Sequence, residues 1–169
     1  SGMHYTSVPN IMKVIKPLFL DNLRAAFTEL EERADYYIGG GDFSEDHRRK
    51  ELRQLLPKLD DLLTRMASIK FLDPACGSGN FLIITYKLRR LEINILVKQR
   101  EIREALNEKA VYQGELIADA SKISLFQFSG IELDDFAHEV ARLSLYIAEH
   151  QMNVEMEEAL ADVHPRLLP

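Results

Sequence analysis

Tryptophan is absent from the 169 residues, cysteine occurs once, and none of the six prolines adjoins another. The lone Cys76 cannot close an internal disulfide, which fits a reducing compartment and leads to an expected cytoplasmic location. No apolar run approaches the ~18 residues that a membrane span requires, so no membrane contact is expected. The N-terminal stretch SGMHYTS lacks the basic-then-apolar pattern of a secretory signal. A basic excess is also missing: 21 Lys and Arg stand against 27 Asp and Glu, a net charge of −6. That balance argues against a self-sufficient nucleic-acid binder. The five histidines, His4, His47, His138, His150 and His164, show no metal-ligand spacing, and no metal site is expected.

What remains is an ordinary globular composition, 46% hydrophobic and 28% charged, in a chain long enough for one domain with a real core. Apolar residues recur at helical spacing over 8–38, with Pro17 breaking the run into two pieces. The GGGD stretch at 39–42 reads as a flexible turn. A second helix is expected over roughly 45–68, with Ser44 as its N-cap and a kink or break near Pro57. IKFLD (69–73) reads as a strand ending in an acid. A long helix follows from near Asn80, with Ile84, Leu88, Leu91, Ile95, Ile102 and Leu106 on its apolar side. Its other side carries Lys87, Arg89, Arg90, Lys98, Arg100 and Arg103 among Glu92, Glu101 and Glu104, a mixture expected of a solvated face. Positions 107–126 show no clear pattern. FQFSGIELDD (126–135) repeats the strand-then-acid logic. The last helix, about 134–151, should bury Phe136, Val140, Leu143 and Ile147. The chain thus divides into a helical segment, 1–68, and a strand-and-helix segment, 69–169.

The junction FLDPACGSGNF (71–81) carries the most chemistry. Gly77 and Gly79 permit a sharp reversal from strand to helix and leave no Cβ in the way of a ligand. A helix starting near Asn80 would point free N–H groups and a partial positive charge at the turn, a seat for a carboxylate or phosphate. Asp73 adds a negative charge at the strand end. A ligand with an anionic and a cationic group, such as an amino acid moiety, satisfies both. Three nucleotide sites compete. The dinucleotide fingerprint needs a third glycine where Leu82 stands. A phosphate-binding P-loop needs a lysine that does not follow Gly79. S-adenosylmethionine, whose methionine end carries an amine and a carboxylate, is the third. Glu132, 59 positions after Asp73, supports it, since a carboxylate at the end of a neighbouring parallel strand can accept both ribose hydroxyls. Ile131 and Leu133 would flank the adenine.

DPACGSGNFL closely resembles motif I of the adenine-specific DNA methyltransferases. FSGIELDDFAHEVARLSLYIAEHQMN resembles their next motif, and HYTS (4–7) the element preceding motif I in one subgroup. Together, 3–20 and 69–153 look most like the large fused restriction–modification enzymes of the type IIG kind and related phage-defence methyltransferases. The resemblance implies an α/β fold, a partial Rossmann-like class I methyltransferase domain that is helix-rich and preceded by a helical segment. It implies S-adenosylmethionine as cofactor. Asp73 and the backbone of Pro74, Ala75, Cys76, Gly77, Ser78 and Gly79 would bind its methionine end, with Tyr5 and Thr6 closing over it. Glu132 would hold the ribose and Leu133 flank the adenine. Cys76 fills a small-residue slot and is expected to be structural.

The family's catalytic tetrapeptide, Asn or Asp followed by Pro-Pro and Tyr or Phe, is absent, so no catalytic residue is assigned within the chain. The piece is expected to be inactive alone, with DNA engaged only through the full-length protein. With two strands where the family fold has about seven, an exposed sheet edge should favour self-association. Two rival readings are a methyltransferase acting on RNA or on a protein glutamine, and a non-enzymatic interaction module that kept the fold.

Overall fold

The structure is a computed structural model, and it describes residues 19–69, 71–73, 80–108, 121–123, 128–130 and 135–161. In chain order the elements are α1 (Asp21–Ile38), α2 (Glu45–Ala67), β1 (Phe71–Asp73), α3 (Asn80–Ala105), β2 (Phe128–Gly130) and α4 (Asp135–Ala161). The expected α/β Rossmann-like architecture is corrected by these elements. The described residues form a helical body of four helices, 18, 23, 26 and 27 residues long, and the β component is two strands of three residues each. The reason is physical. Two strands of that length offer no face on which helices of 18 residues or more could bury their stripes, so the helices bury them on one another.

α1 places Leu23, Phe27 and Ala34 on its inner side. Gly39 ends it by donating its N–H to Asp35 O at 2.9 Å, and Gly40 takes a φ of 80°, which a side chain would resist. The glycine run is not a loose linker. Phe43 folds back over Gly41, and Tyr36, Tyr37, Phe43 and His47 stack across the turn, the Tyr37 and Phe43 centroids lying 5.0 Å apart. Ser44 caps α2 as expected, its Oγ accepting from His47 N at 3.2 Å, while Glu45 and Asp46 complement the helix dipole. Leu52, Leu55, Leu59, Leu62, Leu63 and Met66 are buried. The expected break at Pro57 does not occur; α2 runs through it from Glu45 to Ala67. Proline removes one backbone donor, but burial on both sides of it keeps the helix whole.

α3 is the centre of the body, packing against α4, α2 and α1. Its expected solvated face is therefore covered in part, with Arg90 and Glu104 still exposed. Arg89 is 2% exposed, Glu92 0%, Lys98 8% and Gln99 1%. Each of these four side chains makes at least one hydrogen bond to a residue outside α3, as burial requires. Lys98 Nζ donates to Asp35 Oδ1 of α1 at 2.7 Å and to Glu101 Oε2 at 2.6 Å. Burial pulls its ammonium down, but the hydrogen bonds and charges of Asp35 and Glu101 together outweigh that and hold it above its ordinary value. Gln99 Nε2 donates to Asp60 Oδ1 of α2 at 2.7 Å.

Arginines also satisfy helix C-termini. Arg100 donates to Ala159 O and Leu160 O at the end of α4, at 2.9 and 3.0 Å. Arg48 donates to Tyr37 O near the end of α1 at 2.8 Å, and Arg49 to Leu106 O just past the end of α3 at 3.1 Å. These carbonyls have no intrahelical donor, and a cation there also meets the negative end of the helix dipole. α3 closes with Asn107 at φ 57° and Glu108 N–H donating to Arg103 O at 2.8 Å.

The last helix corrects a further expectation. Leu143 and Ile147, expected inside, are 61% and 50% exposed, while Ala148, Met152, Met156 and Leu160 are buried. α4 is apolar on two sides, and periodicity alone does not say which side meets the body. Leu143, Tyr146, Ile147 and Val154 form an exposed apolar stripe on it.

On α3 itself, Arg89 Nε lies 3.1 Å from Glu92 Oε1. Glu92 also accepts from Ser121 Oγ at 2.7 Å, Lys122 N at 2.8 Å and Ile123 N at 3.3 Å. Burial pushes its carboxyl above the usual carboxylate range, against the opposing pull of Ser121, Arg89 and the two backbone N–H groups.

Two outcomes follow from this packing. Pro57→Ala should stabilise the protein by ~1–3 kcal/mol, because a helix-interior proline is replaced by the best helix former at an exposed position; a melting temperature that stays level or drops contradicts this. A carboxyl raised in the folded state holds its proton more tightly there than in the unfolded chain, so its contribution is full below the ordinary carboxylate pKa and is lost as pH rises through the raised one. Urea unfolding between about pH 4 and pH 8 should show the stability difference between wild type and Glu92→Gln shifting toward the variant as pH rises. A shift toward wild type refutes it.

Candidate functional site

β1 and β2 pair in parallel, with Phe71 opposite Phe128, Leu72 opposite Ser129 and Asp73 opposite Gly130. Both strands therefore finish at one end of the pair. Asp73 is the last residue of β1, and α3 begins at Asn80 after the six residues 74–79. Glu132 stands two positions beyond Gly130 in the sequence. The structure thus brings together, at the level of the backbone, the carboxyl ends of β1, which is Asp73, and of β2, which is Gly130. Tyr5, Thr6, Pro74, Ala75, Cys76, Gly77, Ser78, Gly79, Glu132 and Leu133 lie outside the described residues, and Asp73 is described by its strand position. The N-terminus of α3 carries the free N–H groups and partial positive charge of a helix start, directly after 74–79 in the chain.

Glu92 was not legible as part of this arrangement. In the sequence it is one acid among the mixed charges of a long helix. In the structure its carboxylate gathers one hydroxyl and two backbone N–H groups from residues 121–123, five to seven positions before β2 begins. Ser121 Oγ also lies 3.3 Å from Ile123 N, which donates to it, so the short segment is tied to itself as well as to α3. Arg89 is fixed in turn by donating from Nη2 to Asn153 Oδ1 of α4 at 2.7 Å. Its Nε has no hydrogen-bond partner among the described residues, so its contact with Glu92 is an ion pair without hydrogen-bond alignment. Burial draws the guanidinium down while Glu92 and Glu149 support its charge.

A concavity of about 480 Å³ is lined by Asp46, Arg49, Lys50, Arg53, Gln54 and Pro57 on α2. Two of its three cations are already engaged. Arg49 donates to Leu106 O, and Arg53 pairs with Glu108 at 3.4 Å. Asp46 and Glu108 further reduce its net charge, so it lacks the free positive charge of an anion site. Among the described residues no helix is long and apolar enough to cross a membrane.

Comparison with known proteins bears on which of these features matters. DNA methyltransferase A of Bacillus subtilis (strain 168) is 51% identical over 169 residues, a match spanning 99% of this chain and 15% of that protein. The solved structure of the type IIL restriction–modification enzyme MmeI in complex with DNA is similar with a TM-score of 0.62 at 30% identity, covering 92% of this chain and 17% of that one. The chain therefore spans less than a fifth of either relative. The family described as "MmeI, DNA-methyltransferase domain" matches residues 45–169, which include both strands, residues 74–79 and Glu92. On that match the chain belongs to the MmeI DNA-methyltransferase domain family.

Proposed function

We propose that the chain is the cofactor-binding part of an adenine-specific DNA methyltransferase that uses S-adenosylmethionine in restriction–modification or phage defence. The observation that supports this is the parallel pairing of β1 with β2, in which Asp73 stands opposite Gly130, two positions before Glu132 in the sequence. In this reading Asp73 and the backbone of 74–79 take the amino-acid end of the cofactor, and the start of α3 favours its carboxylate. Glu132 accepts the ribose hydroxyls, Leu133 flanks the adenine, and Tyr5 and Thr6 close over the methionine end. Residues 1–68 then serve as a helical support carrying that closing element, and 69–169 as the binding segment.

When bound, the cofactor supplies a methyl group on a positively charged sulfur, and the protein's contribution is to hold that methyl in line with the incoming amine. The groups that would receive a flipped adenine belong to the Asn/Asp-Pro-Pro-Tyr/Phe tetrapeptide, which these 169 residues do not contain. The chain alone is therefore assigned binding and not turnover. DNA is assigned to the full-length protein, in keeping with the DNA-bound state of the MmeI structure and with the net charge of −6 here. A cytoplasmic location follows from DNA as substrate.

Calorimetry on the full-length protein with S-adenosylhomocysteine should show binding. Asp73→Ala and Glu132→Ala should each weaken it by roughly tenfold or more, the effect of losing a charge-assisted hydrogen bond. Unchanged affinity in both variants would falsify the site. Nucleoside analysis of methylated DNA should find the label on adenine; label on cytosine, on RNA or on protein removes the assigned substrate. The isolated 169-residue piece, with its short sheet and the exposed stripe on α4, should self-associate in light scattering, and a clean monomer counts against that.

A further inference from the structure

We propose that Glu92 is a positioning residue for the cofactor site: by holding residues 121–123 it sets β2 against β1 and so places the acid at 132. The inference rests on the cofactor reading above and adds to it a residue that does not touch the ligand.

Three observations carry it. The first is the density of bonds. A single carboxylate, 0% exposed, accepts from Ser121 Oγ, Lys122 N and Ile123 N, at 2.7, 2.8 and 3.3 Å. Two backbone donors from adjacent residues fix the direction of the chain as well as its place, because each N–H direction is set by the peptide plane. The second is rigidity on the other side. Glu92 lies in the middle of the central helix, and its ion-pair partner Arg89 is itself bonded to Asn153 on α4. The third is position along the chain. Ile123 is buried, and four residues separate it from Phe128, the first residue of β2. A three-residue strand paired with another three-residue strand has little register information of its own. An anchor just before it supplies what the short ladder lacks. A one-residue slip of β2 would exchange the faces of residues 128–130 and shift the chain that leads to position 132, which a ribose site there cannot tolerate.

The test uses the full-length protein and two variants. Glu92→Gln keeps the shape but removes the charge; Ser121→Ala removes one donor and leaves the ion pair untouched, so it guards against misfolding of the first. Leu52→Ala, a buried position on α2, serves as a control for lost stability without lost anchoring. Ser121→Ala should speed amide hydrogen exchange at 128–130 by about fivefold, matching the net loss of one hydrogen bond. It should weaken S-adenosylhomocysteine binding severalfold while the control, with an equal or larger fall in melting temperature, leaves binding unchanged. Unchanged exchange at 128–130 overturns the anchor. Faster exchange with unchanged affinity, while Asp73→Ala loses binding, overturns the link to the cofactor and leaves the site itself standing. Equal losses of affinity in Ser121→Ala and the control reduce Glu92 to a structural role and also overturn the proposal. A wild-type protein that does not bind at all defeats the cofactor reading, and with it the cofactor half of this inference, while the exchange result still decides the anchor.

Discussion

The buried pair Arg89–Glu92 on α3 is the constraint around which the rest of the body is arranged. Two opposite charges in a helix interior are expensive to desolvate, and removing one member of such a pair typically costs about 3–5 kcal/mol because the other is left uncompensated. The chain meets that cost by surrounding both. Arg89 reaches Asn153 on α4, and Glu92 collects Ser121, Lys122 and Ile123. The pair thereby fixes two parts of the chain to α3: the last helix and the segment 121–123 that precedes β2. An apolar pair of the same volume would fill the space without specifying those two directions.

The same logic extends along α3. Lys98 ties it to α1 through Asp35, and Gln99 ties it to α2 through Asp60. Arg100 reaches the terminal carbonyls of α4. Leu, Ile and Met side chains supply the burial that drives the helices together, and they do so without directional preference. The polar contacts select one arrangement among the many ways that amphipathic helices can pack. A central helix with polar groups on several sides thus acts as the reference to which its neighbours are registered.

The four described helices were visible in the sequence because their apolar residues recur at helical spacing, and the Ser44 cap was visible because serine before an acid-rich turn has a local reason to be there. The two strands were visible as short apolar runs ending in acids. The architecture was misjudged because family resemblance implied a sheet on which helices rest, whereas the described strands are too short to seat them. The charges of α3 were misjudged for a related reason. Arg89, Glu92 and Lys98 look like surface chemistry until the helices that cover them are placed, and coverage is a property of the whole chain. Leu143 and Ile147 show the same limit, since either of two apolar stripes on α4 satisfied the pattern. Of the site, Asp73 and Glu132 can be read in the sequence as acids that follow two short apolar runs, but the contacts of Glu92 lie some thirty positions away in sequence, and no local signal marks them.

Function enters through the meeting of two scales. The helical body is large, and the strand pair that holds Asp73 is small. Its geometry is borrowed from the body through Glu92. A structure of the full-length protein with S-adenosylhomocysteine tests this most directly. The account predicts the ribose hydroxyls within hydrogen-bond distance, about 3 Å, of the Glu132 carboxylate, with the amino-acid end against residues 73–79. A ligand seated elsewhere in the protein, or a ribose held by other side chains while Glu132 points away, would contradict it.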